Sequence, residues 1–377
     1  MRSRTRKIGL LADLGAPETI ASRIADAVAA RVSQCLGEET DVEVGRETLP
    51  LSPDGSVHLA ERAPALRRRH EWDCVVYLSD LPDFVDGRPL LAEAAHAERC
   101  AQVTVPAMGG LPLAARTRDL LVGLILAILQ SDQRHGEGTL EEALGAGHRR
   151  VMPSPDRSGL TTVVLEGRLR TVRLLGGMVR SNRPGRLLPA LTGCIAAAVG
   201  AGAFGVFYGT LAPVADPLSL WRLGVIALLA GAILTVWLIV RNRLWNSASP
   251  SRRSSERRLD NAATVLTVGF SVAMLYIVLA VLMLLLSVTV LDPVYLHNEL
   301  LHPAGAMEYV KLAWLSASMG ALAGSLGANF DDESAVRSAT FSRRYDERRR
   351  LFDQESDDQS SRESRGESGG DGDRRSG

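Results

Sequence analysis

Two periodicities divide this chain. Up to about residue 135, short apolar runs alternate with stretches whose apolar residues recur every three or four positions. Beyond residue 186, long blocks carry almost no charge. Lys7–Asp13 (K-I-G-L-L-A-D), Asp73–Asp80 (D-C-V-V-Y-L-S-D) and Ala101–Pro106 (A-Q-V-T-V-P) read as buried strands, and Asp41–Leu49 alternates like a half-exposed one. Pro89–Glu93 reads as a short strand or a helix start, and Leu160–Leu165 as a last strand or part of a connector. Glu18–Leu36, Ser56–His70 and Leu113–Gln130 carry helical stripes. Strand–helix alternation predicts a small doubly wound α/β domain with a mostly parallel sheet over residues 1–135.

The second half predicts an all-α domain. Leu187–Leu211 offers 25 residues without a charge, Leu218–Val240 offers 23 with one arginine, Ala262–Leu291 offers 30 and Leu312–Phe330 offers 19. A bilayer core needs about 20 apolar residues in a helix. Four transmembrane helices are therefore expected within 187–330, at 187–211, 218–240, 262–291 and 310–330. Gly193, Ala197, Ala201, Gly205 and Gly209 repeat at every fourth position of the first span; Ser316, Gly320, Gly324 and Ala328 do so in the fourth. Such ridges allow close helix packing, between these two spans or across a homo-oligomer. The Leu- and Val-rich third span is expected to face lipid. No span carries Asp, Glu or His at mid-depth, which speaks against a pump or transporter.

Charge sets the orientation. Arginines precede span 1, separate spans 2 and 3, and follow span 4, while Ala212–Pro217 and Asp292–Tyr309 contain no Lys or Arg. The positive-inside rule then puts both termini in the cytoplasm of a multi-pass plasma (inner) membrane protein. The arginine flanks suit anionic headgroups of the inner leaflet. The whole chain is neutral, with 43 basic and 43 acidic residues, which gives no sign of a nucleic-acid partner.

The connector 136–186 ends in Arg168–Arg186, where Leu169, Val172, Leu175 and Val179 line one side of a helix beside Arg170, Arg173 and Arg180. That pattern predicts an interfacial helix, with Pro184-Gly185 as the elbow into span 1. Residues 331–353 predict a cytosolic helix opened by Asp331-Asp332-Glu333, and 354–377 a solvated tail with almost no apolar residue.

Candidate chemistry is sparse. Ligands of open α/β sheets bind beyond the carboxyl ends of the strands. Asp13 and Gly15 follow the first strand, Ser79 and Asp80 close the third, and Gly109 and Gly110 follow Val103–Val105. These six are the ligand-binding candidates, with helix or turn capping as the alternative for the two aspartates. There is no G-x-G-x-x-G after the first strand, no P-loop, no G-x-S-x-G elbow and no metal-ligand spacing of His or Cys. The residues name neither a cofactor nor a catalytic group. Cys35, Cys74, Cys100 and Cys194 form no C-x-x-C pair.

Several stretches carry a family resemblance: K-I-G-L-L-A-D at the start, D-C-V-V-Y-L-S-D-L-P, G-G-M-V-R-S-N-R-P, N-A-A-T-V-L-T and D-D-E-S-A-V-R. With these the chain, from Lys7 to about Arg350, resembles actinobacterial integral membrane proteins of uncharacterised function. Some relatives carry the label methylene-tetrahydrofolate dehydrogenase. That enzyme family uses a Tyr-x-x-x-Lys pair, and the soluble part here has only Lys7 and no such pair. The resemblance implies the membrane topology and no catalytic residue. Two functions follow as expectations: a membrane-anchored cytosolic binding or interaction module for a ligand or protein partner, or a membrane-bound enzyme acting on a nucleotide-like or lipid-linked substrate at the strand ends.

Overall fold

A computed structural model describes residues 5–47, 49–50, 57–109, 113–129, 149–153, 160–182, 184–208, 211–245 and 254–340. Gly110, Gly209, most of the connector, the helix beyond residue 340 and the tail 354–377 lie outside them. The chain divides into two compact units. Unit 1 is built on residues 1–181, and unit 2 on 182–249 and 257–342.

Unit 1 is a mixed sheet with helices on both faces. Its elements are β1 (Arg6–Ala12), α1 (Ala16–Leu36), β2 (Thr40–Arg46), α2 (Leu59–His70), β3 (Cys74–Ser79), β4 (Phe84–Val85), β5 (Arg88–Ala95), β6 (Cys100–Thr104), α3 (Leu113–Leu129), β7 (Arg149–Pro153), β8 (Leu160–Leu165) and α4 (Arg170–Ser181). The strand order is β2-β1-β3-β6-β5-β8-β7, with β4 paired to β5. β2, β1, β3 and β6 run parallel. From β1 the chain moves one way to β2 and then returns to β3 on the other side. Right-handed crossovers in opposite directions put α1 and α2 on opposite faces.

The sheet does not stop at residue 135. An antiparallel wing of β5, β8 and β7 extends it to Leu165, inside the stretch expected to be a connector. The cause is a two-residue hairpin, with Val85 paired to Arg88. Its loop is Asp86-Gly87, both at positive φ (50° and 71°), which suits a tight hairpin turn. The returning strand β5 lies antiparallel to β6 and gives β8 an edge to join. Pro89–Glu93 is therefore strand, not the start of a helix.

Unit 2 is helical: α5 (Thr192–Phe207), α6 (Ala212–Ala215), α7 (Leu220–Arg241), α8 (Ser254–Val290), α9 (Pro293–Leu300), α10 (Ala306–Gly327) and α11 (Glu333–Thr340). Two helices, Leu220–Arg241 and Arg257–Val290 within α8, are long and apolar enough to cross a membrane. The stretch 187–211 is not one long helix. A 3₁₀ turn at Leu188–Ala190 precedes the 16-residue α5, and α6 follows separately. Pro189 lies in the 3₁₀ turn and Pro213 in the first turn of α6, where a missing N–H is tolerated. α10 starts earlier than expected, at Ala306, and takes Glu308 and Lys311 into its first turns.

α5 and α10 lie face to face along their small residues. A methyl on Gly320 would sit 2.5 Å from the carbonyl oxygen of Ala198, and one on Gly193 2.7 Å from that of Gly327. Gly324 rests on Cys194, and Gly205 on Leu211 and Ser316. Among the described residues this ridge packs α5 against α10 within one chain.

The start of α5 is capped from far along the chain. The Gly193 and Cys194 N–H groups donate to the Asp331 carboxylate at 2.6 and 3.3 Å. Leu191, the residue before the helix, has no side chain that could do so. Asp332 in turn caps α11, accepting from the Ser334 N–H at 2.9 Å. Asp331→Ala is expected to cost about 1–2 kcal/mol, the usual worth of an N-cap. Asp331→Asn, which keeps one acceptor, should lose less. Thermal unfolding of the full chain in detergent measures both.

The loops expected outside the membrane meet at one polar cluster. The Asp216 carboxylate lies 3.0 Å from His302 Nε2 and 3.6 Å from Lys311 Nζ. His302 Nδ1 faces the Pro303 carbonyl at 3.1 Å, so both ring nitrogens point at acceptors. The Asp216 bond accordingly raises the His302 pKa, and the same bond lowers that of Asp216.

Candidate functional site

The switch point of the sheet falls between β1 and β3, and there the structure brings Asp13, Ser79 and Asp80 together. All three are buried. Asp13 extends β1 by one residue, its N–H donating to the Leu78 carbonyl at 3.0 Å. Its carboxylate takes a 2.6 Å bond from the Tyr77 hydroxyl on Oδ1 and a 2.9 Å bond from the Asp80 N–H on Oδ2. Asp13 does not cap α1. It ties β1 to β3 as a strut in the buried interior, where a hydrogen bond left unmade is costly. The Ser79 hydroxyl is likewise used, accepting from the Leu81 N–H at 3.2 Å.

Gly15, at φ 106°, turns the chain into α1. Its N–H donates to Glu18 Oε2 at 3.3 Å, and the Glu18 and Thr19 N–H groups donate to the carbonyls of Asp13 and Gly15. Pro17 has no N–H to give. Glu18 also holds Arg46 at 2.7 Å. This helix start is occupied by a carboxylate of its own chain and is a poor seat for a phosphate. Gly109 lies apart, after the 3₁₀ turn Val105–Met108, at φ 84°. Arg173 from α4 crosses it and donates to the Met108 carbonyl at 3.1 and 3.3 Å. Burial, with Arg116 nearby, lowers the Arg173 pKa. The six candidates thus form a tight group of three at the switch point, two separate turns, and Gly110 outside the described residues.

A different set of polar residues converges on the face covered by α2. Along each strand alternate residues share a face. On that face Val75, Cys100, Ala95 and Leu160 stand in register across β3, β6, β5 and β8, an apolar row. They belong to one core with Ala63 and Leu66 of α2. Two residues further along each strand the row turns polar: Tyr77, Gln102, Glu93 and Thr162 are paired in sequence across the same four strands. Ser79 and Thr104 pair in the next row. The Tyr77 hydroxyl is 3.4 Å from the Leu49 N–H, so the segment after β2 folds over this region.

Gln102 and Thr104 are 5% and 0% exposed, yet among the described residues the Gln102 amide oxygen and the Thr104 hydroxyl make no hydrogen bond. Two unpaired polar groups side by side in a sheet interior are costly, about 1–3 kcal/mol each. A fold keeps them where something else completes the bonding. The row offers a carboxylate, an amide and hydroxyls, and none of its members is Lys or Arg. Such groups can accept hydrogen bonds from hydroxyl or amine donors. Thiol chemistry has no place beside it, because burial pushes Cys100 up to about 12, as it does Cys74. Among the described residues no group of three or more His, Cys, Asp or Glu is placed to hold a metal.

Sequence reading missed Tyr77, Gln102, Glu93, Thr104 and Thr162 as a set. Their one sequence signal is a polar residue at alternate positions of otherwise apolar strands, as in Cys100-Ala101-Gln102-Val103-Thr104. No family model, curated protein or solved structure matches this chain.

Proposed function

We propose that this chain is a membrane-anchored binding module. Its α/β domain takes a small donor-rich polar ligand on the row Tyr77–Gln102–Glu93–Thr162. Four crossings at 187–211, 218–240, 262–291 and 310–330 fix it to the plasma (inner) membrane. Both termini face the cytoplasm, and arginine flanks lie against anionic headgroups. It is the resemblance to actinobacterial integral membrane proteins that suggests this compartment.

The observation that carries the ligand reading is the pair of unpartnered buried groups on Gln102 and Thr104. The membrane reading draws on α7 and α8. Only 28% of the most apolar stretch of each is buried, and Trp221, Leu228, Phe270, Ile277 and Leu285 stand exposed. A soluble protein hides such surface. α5 is the short crossing, about 24 Å of helix, and needs its flanking turns or local thinning of the bilayer.

The test is Gln102→Leu in the full chain in detergent, screened by thermal shift against amino acids, polyamines and sugars. Leucine fills a similar volume and removes the unpaired amide, so stability without ligand should hold or rise by about 1 kcal/mol. The stabilisation that a ligand gives the unmodified chain should vanish. A chain that answers to none of these compounds, or a Gln102→Leu chain that is strongly destabilised, overturns the ligand reading.

A further inference from the structure

α4 has two apolar sides. On one, Leu174, Gly177 and Met178 are buried against the 3₁₀ turn Val105–Met108. Gly177 is pressed onto the Pro106 carbonyl so closely that no side chain would fit. Arg173 adds its bonds to Met108. These contacts bolt the helix to the end of β6, at the same carboxyl edge of the sheet that carries Asp13 and Asp80. On the other side Leu169 and Val172 are 67% and 63% exposed, and Leu175 and Val179 half-buried. At helical spacing these four form a continuous outward stripe. Arg168, exposed, and Arg170, half-buried, lie at the start of the helix and form no ion pair among the described residues.

A helix already packed on one side has no structural need of a second apolar stripe. Its arginines make an acidic or anionic surface the fitting partner. Connectivity selects which one. Only ten residues separate Ser181 from Thr192, the start of the first predicted crossing, a tether of about 35 Å at full stretch.

We propose that the stripe Leu169–Val172–Leu175–Val179 seats in the headgroup layer of an anionic leaflet, with Arg168 and Arg170 at the lipid phosphates. This rests on the membrane reading above. Because α4 is fixed to the sheet, the contact holds the carboxyl edge of the α/β domain toward the leaflet. Each arginine near such a surface contributes about 1 kcal/mol, so docking should depend on anionic lipid.

The experiment uses the full chain in nanodiscs. Cys35, the exposed cysteine, is replaced by serine; Cys74, Cys100 and Cys194 are buried. An environment-sensitive fluorophore is placed through Val172→Cys, or through Asp26→Cys on the exposed side of α1 as reference. In discs containing phosphatidylglycerol the Val172 probe should shift to the blue, and iodide should quench it several-fold less than the reference. Pure phosphatidylcholine, or Arg168→Gln with Arg170→Gln, should remove most of that protection. A Val172 probe as open to iodide as the reference in both bilayers overturns the docking proposal. So does equal protection with and without anionic lipid. In either case a chain that still co-elutes with the discs leaves the membrane reading standing. A chain that does not enter discs overturns both.

Discussion

Asp13→Ala is expected to unfold the α/β domain. The substitution deletes the acceptor of the Tyr77 hydroxyl and of the Asp80 N–H, both in the buried interior. Each donor left without a partner costs about 1–3 kcal/mol, and bonds to a charged acceptor lie at the upper end. Together the loss is about 3–5 kcal/mol, a large part of the roughly 5–15 kcal/mol that holds a typical domain together. Asp13→Asn keeps one carbonyl acceptor and should fall between Asp13→Ala and the unmodified chain. Tyr77→Phe takes a donor from Asp13 Oδ1 and an acceptor from the Leu49 N–H, so it too should fall between Asp13→Ala and the unmodified chain. Limited proteolysis of the full chain, with denaturant titration of unit 1, ranks the three. If Asp13→Ala resists protease as well as the unmodified chain, Asp13 is no strut and returns to being a ligand candidate.

Gly320→Leu is expected to disrupt unit 2 as severely. The added Cβ would meet the Ala198 carbonyl oxygen at 2.5 Å and Leu279 Cδ2 at 3.0 Å. The first of these is backbone on a neighbouring helix and cannot turn aside. Overpacking ordinarily costs about 1–3 kcal/mol, and a clash with a fixed carbonyl belongs at the top of that range or above it. α5 and α10 would have to separate, exposing the ridge that joins them. Gly224→Leu is the matched control: nothing lies within 4 Å of its added Cβ. There a helix former replaces glycine in open space, and stability should hold or gain up to about 1 kcal/mol. Size-exclusion profiles and thermal unfolding in detergent separate the two. Equal stability of the two variants would mean that the α5–α10 contact does not hold the unit together.

Much of unit 1 was legible residue by residue. Lys7–Asp13 and Asp73–Asp80 read as strands because apolar runs that short, bounded by charged and turn-forming residues, suit a buried strand better than a helix of ten or more residues. The helical stripes marked α1, α2 and α3 for the same kind of local reason. The placing of Asp13 and Asp80 at strand carboxyl ends also followed from the alternation of elements. What Asp13 does there was not visible. Its partner Tyr77 lies 64 positions away, and only pairing of β1 with β3 brings them to 2.6 Å. For the wing, Pro89–Glu93 and Leu160–Leu165 were legible only as one of two alternatives each, because their pairing depends on the Asp86-Gly87 turn between Val85 and Arg88. Once that hairpin closes, the region expected as a connector becomes sheet.

In the helical half, composition marked the apolar blocks and the small-residue ridges, since both depend on residue type and spacing alone. It did not show that the first block would be divided, nor that Asp331 would cap a helix begun 139 positions earlier, at Thr192. By itself, then, the sequence determined that Lys7–Asp13 and Asp73–Asp80 are strand, that α1, α2 and α3 are helices, and which blocks are oily. Local periodicity carries that information. Tertiary structure alone decided that Tyr77, Gln102, Glu93 and Thr162 form one row, and that Gly193 and Gly320 face a neighbouring backbone. Strand register and helix approach are set by the whole packed core, and a slip of one residue would turn every such side chain to the opposite face.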